Sequence, residues 1–210
     1  MIGSCLTNRP RNHLYEITAA PTIYPITLEE LKIQTRIDWD GTAHDAFLTG
    51  IIAAVTKFAE NYTKLYFINI TFKTVRDCLD SFIKLRRAPF NSLTSFKYLN
   101  TEGTPTDVPA ESYYTLKDNH YGEIHLSPNK NYPTDLTLRL GGVEIVFVAG
   151  YGSVKTDVPD DIRKAMLQHA TFFYQNRGDC CNAEVCCPPE VRAIYNHYKI
   201  IDLSGFGYHG

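Results

Sequence analysis

The clearest period in the chain is a run of apolar residues spaced three and four positions apart across residues 47–62. This spacing predicts an amphipathic helix. Its stripe consists of Phe47, Ile51, Ala54, Val55, Phe58 and Tyr62. A shorter helix is predicted before it, beginning after Thr27 and ending near Asp38, because a capping threonine there precedes two glutamates in the first turn. Two helices are therefore expected before the pattern changes.

From about Tyr66 the apolar period becomes two, which is typical of half-buried strands. Glycine, proline and asparagine gather in residues 100–107 and 127–133, and such stretches favour turns. This spacing predicts antiparallel hairpins. The further predicted strands are Phe82–Leu85, Leu93–Leu99, Ser112–Leu116, Glu123–Leu126, Leu136–Leu140 and Val143–Ala149.

Helical spacing returns after Pro159, and a last amphipathic helix follows Pro188 and Pro189. Since the outer helices have apolar stripes to bury, we predict an α+β fold in which a four-helix bundle is interrupted by an antiparallel β insertion domain. The predicted parts are an extended N-terminal arm (1–25), the helical bundle (26–64 and 155–203), the β insertion domain (65–154) and a flexible C-terminal tail (204–210).

The composition suits an ordinary folded domain: the 210 residues are 44% hydrophobic and 21% charged. A formal net charge of -2 argues against a dedicated nucleic-acid binder, which needs clustered lysine and arginine, so we expect only incidental contact with DNA. Residues 1–25 contain no apolar run typical of a signal peptide, and no later run is long enough to span a bilayer. We expect a cytoplasmic protein with no membrane partner and with reduced thiols.

Four segments occur in an order that resembles the head-tail connector (adaptor) proteins of tailed phages, including those of gene-transfer-agent-like particles. Each segment is unspecific by itself, and their order and spacing make the resemblance. Together they cover most of residues 26–200. They are Ile26–Lys32 with Arg36–Asp38, Leu85–Pro89 with Ser95–Leu99, Phe147–Gly152, and Val158–Arg163 with Phe173–Arg177.

The resemblance implies a structural virion protein of the neck, assembled in the cytoplasm of a bacterial host. It implies copies of the chain in a ring, generally twelvefold, beneath the portal protein. Such a ring bridges the portal to a downstream tail or head-completion protein. The resemblance implies no catalysis and no cofactor. It does not extend to the first arm, the paired cysteines or the glycine-rich aromatic tail.

Cys180, Cys181, Cys186 and Cys187 form the sharpest alternative, because four thiols within eight residues can bind zinc. Common structural zinc sites use C-x-x-C pairs, however, and these cysteines are adjacent. Free thiols, a disulfide across the loop and a metal site remain open. The metal site defines the rival function, a metal-dependent protein-interaction module organised by this loop.

Catalytic chemistry has little support in the sequence, which contains no H-E-x-x-H, G-x-S-x-G or Walker motif. A hydrolase with unrecognised residues is a third hypothesis. Gly150-Tyr-Gly152 is interpreted as a turn, His120 and His125 as surface residues of a hairpin, and His169 as a core or interface residue. No catalytic residue is therefore assigned.

Two further groups bear on partners. Lys84, Arg86 and Arg87 form a short basic cluster, interpreted as a solvated strand end that can also oppose acidic groups of a neighbouring copy. In the tail, Phe206 and Tyr208 are two positions apart and share one side of an extended chain. We predict that they bind a partner, either the portal or a neighbouring copy.

Overall fold

The structure is a computed structural model, and it describes residues 14–37, 42–118, 120–131, 133–136, 141–176 and 187–201. The helices are α1 (Leu28–Thr35), α2 (Asp45–Thr63), α3 (Asp160–Gln175) and α4 (Pro189–Tyr198). The strands are β1 (Tyr15–Ala19), β2 (Ile70–Arg76), β3 (Phe82–Leu85), β4 (Phe90–Leu99), β5 (Pro105–Asp107), β6 (Tyr113–Asp118), β7 (Tyr121–Leu126) and β8 (Val143–Ala149).

The described residues divide into two compact units. The strand unit is formed by those among residues 1–21 and 69–151. The helix unit is formed by those among residues 22–68 and 152–210.

The prediction of a four-helix bundle is wrong: the fold is α+β, with four helices and two antiparallel sheets among the described residues. The helical periods located the helices correctly, but α1 and α4 have only 8 and 10 residues, against 19 in α2 and 16 in α3. A helix rises about 1.5 Å per residue, so the 8 residues of α1 extend about 12 Å beside the 19 residues of α2. Helices this unequal do not build a bundle along a common axis.

In the helix unit, α3 contacts each of the other three helices. Helix α1 begins with a capping box, in which Thr27 accepts from the backbone N–H of Glu30 while the Glu30 carboxylate accepts from the N–H of Thr27. Proline at the first position of α4 suits a helix start, because its missing N–H has no partner there in any case. Fully buried residues of this unit include Leu31, Leu48, Val55, Ala59, Ile162, Met166, Val191 and Tyr195.

The strand unit contains a five-stranded sheet in the order β1-β2-β8-β4-β5 and a three-stranded sheet in the order β3-β7-β6. The sheets meet where the Phe90 ring of β4 covers Gly122 of β7. A Cβ at Gly122 would lie 2.3 Å from Cδ2 of Phe90, so only glycine admits the ring. The core between the sheets includes Phe72, Phe90, Phe96, Phe147, Ile83, Leu85 and Ile124.

Strand β1 comes from the segment that the sequence assigned to the extended arm. It pairs antiparallel with β2, with Tyr15 opposite Thr74 and Ile17 opposite Phe72. The ring of Tyr15 makes an edge contact with Phe147, at a centroid distance of 6.0 Å. Residues 15–19 therefore contribute a strand to the five-stranded sheet.

Candidate interaction surfaces

The Glu30 carboxylate joins two of the sequence segments quoted above within the helix unit. Its Oε1 atom lies 2.6 Å from Nη2 of Arg163 and 2.9 Å from Nζ of Lys155. Arg163 also donates from Nε to the Pro25 carbonyl at 3.1 Å. Partial burial alone would raise the pKa of Glu30, but the Lys155 and Thr27 hydrogen bonds and the two cations hold this pKa below its ordinary value. These segments thus hold α1 against the start of α3.

The other two segments meet within the strand unit. The backbone N–H of Gly150, which follows β8, donates to the Pro89 carbonyl at 2.8 Å. The next residue of β4, Phe90, is paired with Ala149, and the Ala88–Pro89 peptide bond is cis. Gly150 has a φ of 145°, a conformation that favours glycine. The Gly150-Tyr-Gly152 segment is thus built into a strand end.

The basic cluster Lys84, Arg86 and Arg87 is divided among different contacts. The Arg87 guanidinium lies over the ring of Tyr15, 4.3 Å from its centroid, and the Arg86 N–H donates to the Tyr15 hydroxyl at 2.9 Å. Lys84 donates from Nζ to Asp118 at 3.1 Å. The cluster therefore anchors β1 and the edge of β6, and its three cations do not converge on one ligand.

His169 is a fully buried residue of α3 surrounded by aromatic rings. The centroids of Phe58 and Phe173 both lie 5.0 Å from its ring. Its Nδ1 atom is 3.4 Å from the hydroxyl of Tyr195, whose pKa is raised by burial. These contacts place His169 in the core of the helix unit.

The outer face of the three-stranded sheet carries an aromatic row. Phe82, His125 and Tyr114 are cross-strand neighbours on β3, β7 and β6. The His125 ring is stacked on Tyr114 with centroids 5.4 Å apart and lies 5.0 Å from Phe82. Phe82 is 46% exposed, Tyr114 41%, and Leu116, two residues further along β6, 49%. Large apolar side chains exposed in one contiguous group are typical of interaction sites.

A charged row lies beside the aromatic row. Lys84, Glu123 and Leu116 are cross-strand neighbours, and Lys84 contacts both Glu123 at 3.5 Å and Asp118 at 3.1 Å. The hydrogen bond to Asp118 is the main cause that raises the pKa of Lys84. We call the two rows, together with the adjoining Asp118, the aromatic face. Its residues are Phe82, His125, Tyr114, Lys84, Glu123, Leu116 and Asp118.

The outer face of the five-stranded sheet has a different character. Lys73 pairs with Glu144 across β2 and β8, and Lys97 lies 4.0 Å from Asp107 across β4 and β5. Such alternating charges are typical of a solvated face. The aromatic face is thus distinguished from the other outer face of the same unit.

The first part of the described chain is similar to a known protein family. Residues 25–92, which run from just before α1 into β4, match the family model described as Phage gp6-like head-tail connector protein. This part of the chain is thus similar to that head-tail connector family. The resemblance drawn from the four segments is therefore confirmed. No curated protein matches the sequence.

Three solved structures resemble this protein over 90% of its chain and 97% of theirs. One is the neck of an empty gene transfer agent (GTA) particle computed with C6 symmetry, with 21% identity and a TM-score of 0.72. Another is the virion of a native GTA particle, with 22% identity and a TM-score of 0.68. The third is the neck of a native GTA particle computed with C12 symmetry, with 21% identity and a TM-score of 0.59. At this identity the likeness establishes a shared fold.

Two of the cysteines, Cys78 and Cys187, lie among the described residues. Cys187, at the start of the segment leading into α4, is 2% exposed. Cys180, Cys181 and Cys186 lie outside the described residues. Cys78 is disulfide-bonded, which differs from the expectation of reduced thiols. Among the described residues, no group of histidine, cysteine and carboxylate side chains is arranged to hold a metal ion.

The predicted partner-binding residues Phe206 and Tyr208 also lie outside the described residues. The part of the chain that leads towards them is anchored by two hydrogen bonds. The Tyr198 hydroxyl donates to the Asp161 carboxylate at 2.8 Å, and the Ile200 N–H donates to the Thr63 carbonyl at 2.9 Å. Burial and the Asp161 hydrogen bond raise the pKa of Tyr198 to about 12. In the described part of the chain, no helix is both long and apolar enough to cross a membrane.

Proposed function

We propose that this protein is a structural component of the virion neck, where copies form a ring under the portal and bridge it to the tail side. The observation that carries the proposal is the coincidence of two independent likenesses. Residues 25–92 match the connector family model, and the fold of 90% of the chain resembles that of chains from GTA necks and a GTA virion.

The internal contacts support a structural role for the residues that carry the family resemblance. Glu30, Arg163 and Lys155 join α1 to α3, and Pro89 and Gly150 join β4 to the end of β8. These side chains and backbone groups form their ion pairs and hydrogen bonds with one another within the chain. This arrangement fits an adaptor that acts through its shape and binds its partners through other surfaces.

The proposed partners are the portal protein, other copies of this chain and a downstream tail or head-completion protein. A closed ring of about twelve copies agrees with the C12 and C6 symmetries of the necks that share this fold. The proposed location is the neck of the particle, after assembly in the bacterial cytoplasm.

The tail residues Phe206 and Tyr208 are proposed to bind the portal or a neighbouring copy as the ring docks. The support is their two-residue spacing, which places both rings on one side of an extended segment. The anchoring of Tyr198 and Ile200 fixes where that segment leaves the helix unit.

Assembly with the portal tests the role. The purified chain is expected to be mostly monomeric or weakly associated, because the portal supplies the symmetry on which a ring closes. Mixed with portal complexes from the same particle, it is expected to co-migrate with them in a sedimentation gradient. No association with portal complexes or tailless heads at any salt concentration would refute the adaptor function.

The tail is tested separately by deleting residues 204–210. The truncated chain is expected to fold normally and to fail to support tailed, infectious particles. A matched control replaces only His209 with alanine and retains both aromatic rings. A full yield of infectious particles from the deletion would show that docking depends on other surfaces.

A further inference from the structure

Helix α2 exposes a continuous stripe of small and basic residues, which we call the α2 stripe. Successive residues of a helix are rotated by about 100°, so positions spaced three, four and seven apart share one face. An added Cβ at Gly50 would meet no atom within 4 Å, so the stripe is open at its middle. Its exposed members are Ala46, Gly50, Ala54, Lys57, Asn61 and Lys64, the last being the residue after the helix.

The α2 stripe and the aromatic face are complementary in shape. The stripe has little side-chain bulk at Ala46, Gly50 and Ala54, where no side chain is larger than a methyl group. The aromatic face projects the exposed rings of Phe82 and Tyr114. Small residues let a neighbouring surface approach a helix backbone closely, and aromatic rings supply large contact areas in interfaces.

The two surfaces are also complementary in charge. The six residues of the α2 stripe include two ammonium groups, on Lys57 and Lys64, and no acidic side chain. The aromatic face holds two carboxylates, on Asp118 and Glu123, against the single ammonium group of Lys84. The basic end of the α2 stripe is thus opposite in charge to the acidic edge of the aromatic face.

We propose that the aromatic face of one copy packs against the α2 stripe of the next copy in the ring. This inference rests on the proposed function, since it assigns the contact that closes the proposed ring. A closed ring requires a heterologous interface, in which each subunit presents two different and mutually complementary surfaces. The aromatic face, in the strand unit, and the α2 stripe, in the helix unit, form such a pair.

Photo-crosslinking within assembled rings tests the contact. The full chain carrying benzoylphenylalanine in place of Ala54 is assembled on portal complexes and irradiated. Crosslinks are expected between copies, and peptide mapping should place them in β3, β6 or β7. As a matched control, the same group in place of Lys164, an exposed residue of α3, should give no crosslink to these strands.

A charge exchange gives a second test that does not depend on crosslinking chemistry. The double variant Lys57→Glu, Lys64→Glu should lower the yield of rings by at least about tenfold, because like charges would then face each other across the interface. Adding Asp118→Lys to the same chain should restore ring formation. Thermal melting of each variant before assembly verifies that the subunits are folded.

The outcomes separate this inference from the proposed function. Crosslinks that map outside β3, β6 and β7, or a wild-type ring yield from the double variant, would overturn the interface while leaving the adaptor function intact. Complete absence of assembly by the wild-type chain would overturn both. Rescue of the Lys57 and Lys64 variant by Asp118→Lys supports the interface, because a folding defect would not be repaired by a second charge reversal.

Discussion

Glu30 and Arg163 form an ion pair with an Oε1 to Nη2 distance of 2.6 Å, although 133 positions separate them in sequence. Both side chains are partly buried, and Glu30 also closes the capping box of α1. Arg163→Met should therefore lower the free energy of unfolding by about 1.5–3 kcal/mol, the range for a hydrogen bond to a charged group. Urea unfolding measures the loss. Lys164→Met, at the exposed neighbouring position, should change it little, and equal effects of the two variants would contradict this role.

The same carboxylate predicts a dependence of stability on pH. Its pKa is lower in the folded chain than its ordinary value of 4.5, so the folded state binds a proton less readily than the unfolded state. The resulting stabilisation is present above that ordinary value and is lost as pH falls towards the folded pKa. In Glu30→Gln, melting temperatures measured from pH 7 to pH 3 should fall less steeply than in the wild type. Parallel curves would contradict the assignment.

Tyr15 should be the residue that fixes β1 in the strand unit. Tyr15→Phe removes the hydroxyl that accepts from Arg86 and should cost about 1 kcal/mol. Tyr15→Ala also removes the ring beneath Arg87 and beside Phe147, and should cost about 3 kcal/mol. Amide exchange of β1 and β2 measures both effects. Ile17→Ala is the control, because that side chain is half exposed, and a larger loss from Ile17→Ala would contradict the prediction.

Glu60 should destabilise the helix unit when it is ionised. Burial raises its pKa, although its Oε1 atom accepts from the Phe67 N–H at 3.2 Å. Because the folded pKa lies above the unfolded one, stability is lost as pH rises from the unfolded pKa through the folded pKa. Glu60→Gln keeps an acceptor without the charge. Its melting temperature should exceed that of the wild type at pH 7.5, and the gap should close near pH 4. A lower melting temperature for Glu60→Gln at both values would refute this.

The cysteine loop offers a test of the metal alternative. Replacing Cys180, Cys181 and Cys186 by serine should leave folding and ring formation intact. Adding Cys187→Ser should cost about 1–3 kcal/mol, because a hydroxyl is then buried where a thiol now lies. Stoichiometric zinc in the native protein, with loss of structure on chelation, would favour the metal-dependent module instead.

The elements with local signals could be predicted from the sequence. The apolar stripe through Val55 identified α2, and Thr27 with Glu30 identified the start of α1. Both signals are local, because a capping box and a helical period each involve residues that are close in sequence. Period two identified β2 and β8. His169 was expected in the core or at an interface and is fully buried in the core.

The remaining features depend on partners distant in sequence. Strand β1 was missed although Tyr15, Ile17 and Ala19 alternate with polar residues, because a run of five residues is too short to distinguish a strand from an extended arm without its pairing with β2. Strand β5 was assigned to a turn because it begins at Pro105 and has three residues. The β block divides into two sheets because β3 pairs with β7 rather than with its chain neighbours β2 and β4, and no local pattern encodes this choice.

The aromatic face was missed for the same reason. His125 was interpreted as an unremarkable surface histidine, and Tyr114 as one strand residue among several. Only the antiparallel registers of β3, β7 and β6 bring Phe82, His125 and Tyr114 into one row. The available signal was the two-residue spacing of Tyr114 and Leu116, two large apolar residues on one side of a strand.

The most direct measurement for the proposed role is cryo-electron microscopy of assembled particles in which this chain carries a small visible tag in place of a few residues around Gly103, the exposed turn between β4 and β5. The account predicts a ring of tag density in the neck, directly beneath the portal, that is absent from untagged particles. Tag density elsewhere in the particle, or intact tailed particles that lack the chain, would contradict it.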